Sequence, residues 1–276
     1  MFDFVWDTQG YFFWLLVISL FCFILERIVP WRKDQPALRN QFGQDIFWLI
    51  FNGHFAGMII AYIAVFILDW INNLLNLFNL PPPEAVNLLY GTPFFVQFLA
   101  YFILSDFIEW IVHNLLHRVK VLWEFHKLHH SIIVMDWIGN FRFHWMEIVV
   151  YKSIKYFPLI IMGVQAEIIF LIAIFSTLIG NLNHSNFKTD WGILRYVINS
   201  PRLHVWHHDV VFHKKSGQNF AIVFSIWDWI FGTIYYPTHK LMPENLGFKD
   251  INEYPTDLFN RIIYPLNKLF IRKENV

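Results

Sequence analysis

The sequence predicts an all-α integral membrane protein, with about four to five membrane helices and a histidine-rich helical metal site on the cytoplasmic side. Three observations predict it. The 276 residues are 56% hydrophobic and 20% aromatic but only 15% charged. Soluble domains carry about 25% charged residues, so this chain lacks the polar surface that water requires. Apolar stretches long enough to cross a bilayer recur along it. Finally, eleven of the thirteen histidines fall between His113 and His213, and eight of them form tight modules set between apolar stretches.

Candidate spans of roughly 20 residues cover about 10–29, 46–70 and 93–113. A longer stretch, about 146–182, is interrupted by Pro158 and Gly163 and is expected to fold as a hairpin of two spans. A Pro81-Pro82-Pro83 turn links the second and third spans. Beyond residue 185 the composition becomes mixed, and the aromatic segment 218–236 is expected at the membrane interface. The chain opens with Asp3 and Asp7 in place of a basic segment, so the first apolar stretch is expected to be retained and not cleaved as a signal peptide.

Lysine and arginine orient these spans. They are confined to 27–39, 118–155 and 188–276, and cytoplasmic loops carry the excess of both residues. The expected topology is multi-pass, with the N-terminus outside and the C-terminus and every module histidine on the cytoplasmic side. A net charge of +0 argues against a nucleic-acid partner, which needs a basic surface. The single cysteine, Cys22, excludes disulfides and Cys-ligated clusters within the chain. No glycine-rich nucleotide fingerprint occurs, so no built-in flavin or NAD site is expected.

The modules are His113-Asn-Leu-Leu-His117, His126-Lys-Leu-His129-His130 and His204-Val-Trp-His207-His208. Residues three or four apart share a helix face, so each module is expected to aim its imidazoles one way. These eight, with His184 from Asn183-His184-Ser185-Asn186, exceed the four-ligand capacity of a tetrahedral zinc site and suit two metal ions. Imidazole alone does not choose among zinc, iron, copper and nickel. The lipid setting favours non-haem iron with O2, because an alkyl chain offers mainly C–H bonds. Neutral imidazole is the ligand form, so metal loading is expected to weaken as pH falls through about 6.5.

Asp106 and Glu109 lie within the third span on the face of His113 and His117. They are expected either to accept the second N–H of ligand imidazoles or to make a polar contact between helices. His144 and His213 are further candidates for ligation or for support of the ligands. His54 is expected to pack between helices, and His239 to lie at the surface.

With these residues in place, the chain resembles the fatty acid hydroxylase/sterol desaturase superfamily of membrane-bound, histidine-rich non-haem di-iron oxygenases. The resemblance spans about 100–237. It is carried by His113-x-x-x-His117, Leu122-Trp123-Glu124-Phe125-His126-Lys127-Leu128-His129-His130-Ser131 and Arg142-Phe143-His144-Trp145-Met146-Glu147. Ser200-Pro201-Arg202-Leu203-His204-Val205-Trp206-His207-His208 and Trp227-Asp228-Trp229-Ile230-Phe231-Gly232-Thr233 complete it. Two departures stand out. Asn219-Phe220-Ala221 replaces the family's frequent Asn-Tyr-Gly, and Trp145 follows His144 where proline is common.

The resemblance implies a single membrane-embedded hydroxylase-like domain over 1–276, with two iron ions that zinc can replace. The ligands would be His113, His117, His126, His129, His130, His184, His204, His207 and His208, with no catalytic residue beyond the metal centre. It implies hydroxylation of a fatty acyl or sterol-like lipid in the bilayer, with O2 as cosubstrate. Electrons would come from a separate cytochrome b5- or ferredoxin-like protein. A desaturase with the same centre is the nearest alternative. A non-catalytic membrane metal-binding protein is the more distant one.

Overall fold

The computed structural model of the chain describes residues 7–82 and 87–271; Asp3 and Pro83, invoked above, lie outside them. The described residues are almost wholly helical, with isolated bridges such as Pro30 with Phe187 in place of strands. Helix α1 (Tyr11–Ile28) is followed by α2 (Phe42–Ile50), which runs through a π-helical turn, Phe51–Phe55, into α3 (Ala56–Leu77). Then come α4 (Phe94–Arg118) and α5 (Lys120–His130), the successive helices α6 (Trp145–Ile161) and α7 (Ala166–His184), and the short α8 (Pro201–His207) and α9 (Ile226–Ile230). A C-terminal helix, α10 (Leu258–Ile271), closes the order.

Among the described residues, four helical stretches are long and apolar enough to cross a membrane: Tyr11–Ile28, Phe42–Leu77, Phe94–Arg118 and Ala166–His184. At 1.5 Å per residue, the 25 residues of α4 extend about 37 Å, more than the roughly 30 Å of hydrocarbon they face. The expected hairpin of two spans is met in part: α6 and α7 follow one another across a short turn, but only α7 is among the helices long and apolar enough to cross a membrane. Its break falls at Gly163, which takes a φ of 68° that favours glycine. Pro158 is not part of the break and lies inside the last turn of α6. The segment 218–236 forms no span; it holds only the five-residue α9. Helix α10 lies in the region of mixed composition for which the sequence offered no element.

Between helices in lipid, apolar burial supplies little drive, and close packing and hydrogen bonds hold the bundle. One apolar cluster joins α1, α2, α5 and α7 through Leu15, Cys22, Trp48, Leu128 and Leu182. A second joins α4, α6 and α7 through Tyr101, Leu159, Ile168 and Ile172. Gly53 permits the approach of α1 to the π-helix, since a Cβ there would lie 2.6 Å from Leu15 Cδ2.

Polar ties then fix the ends of the helices. Glu26, wholly buried at the end of α1, accepts from the backbone N–H of Trp137 at 2.8 Å and of Asn186 at 2.7 Å. This clamps the chain directly after α7. Arg142 makes a two-pronged ion pair with Asp45, both bonds 2.6 Å. Arg39 reaches Asp45 and Asp136 at 2.7 Å each. Such planar bidentate pairing gives direction as well as attraction, and it holds the loop between α5 and α6 against α2.

Candidate metal centre

The last turns of α4 and α7 end at the same pole of the bundle, where α5 and α8 cap them. Ser200 starts α8 by accepting from the Leu203 N–H at 3.2 Å, and Pro201 follows it inside the helix. Serine as N-cap with proline at the first helical position is a strong helix start. It sets His204, His207 and His208 in the protein interior.

Nine histidines converge there in two groups. His113, His117, His126, His130 and His207 form the first, and His129, His184, His204 and His208 the second; within each, one nitrogen per ring lies within 4.8 Å of all the others. Each module was expected to aim its rings one way, and α5 and α8 do not. A helix turns about 100° per residue, so i and i+4 diverge by only about 40°. The i, i+4 pairs (His113 with His117, His126 with His130, His204 with His208) therefore stay together. His129 and His207 are rotated about 100° from the next histidine and cross to the other group. The groups share a wall, where the rings of His130 and His208 stack at 4.4 Å.

Hydrogen bonds at the rear of the rings set their tautomers. Nδ1 of His113 faces the Phe220 carbonyl at 2.7 Å, that of His184 the Gly180 carbonyl at 2.8 Å, and that of His207 the Gln218 carbonyl at 2.8 Å. Nδ1 of His126 faces Glu147 Oε1 at 2.7 Å. Carbonyl and carboxylate oxygens accept, so these Nδ1 atoms carry hydrogen and Nε2 turns a lone pair inward. Phe143 stacks on His129 at 4.2 Å with the planes 8° apart.

The inner nitrogens lack protein partners that would suit neutral imidazoles. Nε2 of His113, His117 and His126 is buried without one. Nε2 atoms of His129, His184, His204 and His208 form a chain of contacts at 3.1–3.2 Å. Two nitrogens bonded at about 2.1 Å to one ion stand roughly 3.0–3.4 Å apart, so converging lone pairs at this spacing fit a shared cation. Burial, reinforced by neighbouring imidazoles, holds His126, His129, His130, His204, His207 and His208 well below the usual 6.5. Protons therefore compete for these nitrogens below pH 6.5, lower than the free-imidazole value suggested.

The remaining candidates sit elsewhere. Asp106 accepts from the backbone N–H groups of Val223 (2.9 Å) and Phe224 (3.0 Å) and from Trp227 Nε1. Glu109 pairs with Lys155 at 2.6 Å. Both carboxylates thus tie α4 to its neighbours, the helix-contact role of the two weighed above. His144 caps α6, accepting from the Met146 N–H, while its Nε2 meets the Ile262 carbonyl. His213 bonds Asp209 at 2.8 Å and stacks on Tyr235. Neither ring joins the two groups. His54 packs 4.7 Å from Phe12, and His239 is exposed.

Sequence reasoning gave no role to Glu147, although a glutamate three residues after His144 in an apolar helix was a usable signal. The carbonyls of Gly180, Gln218 and Phe220 carry no side-chain signal at all. The Trp227–Thr233 segment acquires a physical role: Asp228 accepts from the N–H groups of Phe220 (3.0 Å) and Ala221 (2.8 Å), from Trp110 Nε1 and from Thr233 Oγ1. That knot holds the stretch whose carbonyls anchor His113 and His207. Phe220, the departure from the family's tyrosine, is fully buried with its ring 5.1 Å from that of His117.

Beside the histidines lies a cavity of about 540 Å³, walled by α1, the π-helix, α3, α4, α6 and α7. His113 and His126 of the first group and His129, His184 and His204 of the second are among its lining residues. Ile60, Ala64, Ile160 and Ile169 make apolar walls, and Asn52, Glu109, Lys152 and Lys155 supply polar ones.

Residues 98–233 match the family described as fatty acid hydroxylase. An ornithine lipid hydroxylase of Rhizobium tropici is 30% identical over 145 residues, 52% of this chain and 44% of the relative. Methylsterol monooxygenase 1-2 of Arabidopsis thaliana is 25% identical over 158 residues, 56% of this chain and 50% of the relative. The human alkylglycerol monooxygenase is 25% identical over 167 residues, 60% of this chain and 35% of the relative. The chain spans about half or less of the length of these curated relatives, and no solved structure matches it significantly.

Proposed function

The chain belongs to the fatty acid hydroxylase family through its residues 98–233, and from that membership we propose that it is a membrane-bound di-iron oxygenase. It hydroxylates a C–H bond of a fatty acyl or sterol-like lipid, using O2 and electrons from a separate cytochrome b5- or ferredoxin-like protein. The observation that carries this reading is the division of nine histidines into two converging groups beside one largely apolar cavity. Five imidazoles would hold one ion and four the other. Bound iron would supply the O2 activation that C–H chemistry needs; zinc fits the same nitrogens.

The protein's own residues orient and exclude. The carbonyls of Gly180, Gln218 and Phe220, with Glu147, hold four rings with their lone pairs inward, so that the ligands are arranged before a metal arrives. The apolar walls keep water from the lipid segment seated beside the histidines. We place the whole of 1–276 in one domain, because α1 and α10 both pack onto the elements that carry the site. Loops rich in lysine and arginine support a cytoplasmic location for the site and an N-terminus outside.

The test is metal content and lipid product together. Protein reconstituted anaerobically with ferrous iron should carry about two irons per chain. With O2 and a reductant, it should then convert membrane lipid to a product containing one added oxygen. A product lacking two hydrogens instead would make it a desaturase. Absence of metal under these conditions would overturn the oxygenase reading.

A further inference from the structure

We propose that an acidic one-electron carrier protein docks where His117 reaches the surface, on a basic face formed by Arg118, Lys120, Lys214 and Lys215, and that its electrons enter the first histidine group there. This rests on the oxygenase reading above, and names the face through which its reductant acts.

Access decides the place. Of the nine converging histidines, His117 alone is half-buried, and the other eight are buried. The cavity takes His113 and His126 of the first group into its lining but not His117. The lipid and the surface therefore reach the first group at different rings. Trp123, also half-buried, puts its ring 5.0 Å from that of His117 and 5.2 Å from that of His130. One aromatic side chain thus joins the surface to two of the five imidazoles. The 214–217 loop lies against the same place, since a Cβ at Gly217 would stand 3.5 Å from His117 Nδ1.

Charge decides the partner. Arg118 and Lys120 follow His117 closely in sequence, Lys214 and Lys215 belong to the loop against it, and all four are exposed. Neither 110–123 nor 210–227 contains an aspartate or glutamate. The acids that bound these segments are committed elsewhere: Glu109 to Lys155, Glu124 to Lys127, Asp209 to His213, and Asp228 to its four donors. Among the described residues, none of the four cations enters an ion pair. Phe248 meets Trp123 at 6.1 Å, and the exposed Lys249 and Asp250 beyond it offset each other. The face is therefore positive, and an anionic protein surface would be steered to it. Hydroxylation delivers one atom of O2 to the substrate carbon and the other to water, consuming two electrons and two protons. A one-electron carrier must then visit twice per turnover. Such traffic suits a small, salt-sensitive encounter of under about 1,200 Å² better than a tight complex.

The test uses the iron-loaded full chain in phosphatidylcholine nanodiscs with two acidic probes, the soluble domain of cytochrome b5 and a plant-type 2Fe–2S ferredoxin. Binding needs no turnover, so it is separable from failure of the oxygenase reading. At least one probe should bind, with affinity falling tenfold or more as salt rises from about 20 to about 200 mM. Lys120→Glu/Lys215→Glu should weaken that binding tenfold or more at unchanged iron content, and should slow oxidation of the reduced probe by the ferric protein by a similar factor. An equal charge change at exposed lysines elsewhere, Lys33→Glu/Lys188→Glu, should leave both largely unchanged. Absence of binding by both probes would overturn the proposal, as would equal weakening by the two double variants. Unchanged probe affinity in Lys120→Glu/Lys215→Glu would overturn it too, and loss of co-purifying phosphatidylglycerol from that variant in native mass spectrometry would then assign the face to lipid headgroups.

Discussion

His207 and His208 are neighbours in sequence, yet their rings stand 85° apart and belong to different nitrogen groups. His207 completes the group built on α4 and α5. His208 completes the one that includes the end of α7. A dipeptide therefore couples the two halves of the site, and the same is true of His129 and His130 on α5.

Single substitutions should consequently separate the two proposed metal sites. His207→Ala is expected to lower metal content to about one ion per chain by weakening the first group, and His208→Ala or His129→Ala to do so through the second. The double variant His207→Ala/His208→Ala should lose both. All should abolish turnover while inserting normally in the membrane. Elemental analysis per chain, beside a membrane-extraction assay, provides the check; full activity in His207→Ala would remove it from the ligand set.

Glu147 acts through His126. Glu147→Gln keeps the shape but replaces the carboxyl group, and Glu147→Ala removes it. Partners behind metal-bound imidazoles typically change affinity by about 10- to 100-fold. Competition against a graded chelator should show a loss in that range for Glu147→Ala and a smaller one for Glu147→Gln. Unchanged retention in both would show that the 2.7 Å contact does not support the ring.

Asp228 accepts from four donors in the fold of the 218–235 segment. Asp228→Ala leaves buried N–H groups without acceptors, a cost of at least about 3 kcal/mol. The thermal midpoint in detergent should drop clearly, and iron should be lost first from the group containing His113 and His207. A midpoint equal to that of the wild type would contradict the knot.

Should α6 cross as a fifth span beside the four described above, tags on the two ends would be accessible from opposite faces of the membrane, with the C-terminal tag cytoplasmic. Protease protection on sealed vesicles reports this directly. Both tags on one side would refute five crossings and leave the arrangement of the histidines untouched.

Much of this was legible in sequence for identifiable reasons. Long apolar runs must become helices in lipid, because no water is present to satisfy exposed backbone groups; α1, α3, α4 and α7 follow from that alone. Turn chemistry located Gly163 but misassigned Pro158, which α6 accommodates in its last turn. Helix α10 was missed because it is short and mixed in composition, and its place is settled by packing against α5. Asp106 and Glu109 were recognisable as buried charges, but their partners, Val223 and Lys155, come from distant chain segments.

For the site, histidine identity and spacing singled out eight of the nine rings that converge, and His184 was singled out by its place at the end of the 146–182 stretch and by the family resemblance. Spacing along one helix could not reveal how the rings divide. That depends on the directions from which α4, α5, α7 and α8 approach one another, because a 100° turn per residue sends consecutive histidines to different neighbours. Backbone carbonyls at Gly180, Gln218 and Phe220 orient the rings, and any residue type carries a carbonyl, so composition is silent about them. Local chemistry was written in the order of residues; the pairing of lone pairs, carbonyls and charges across the bundle arose only when the helices packed.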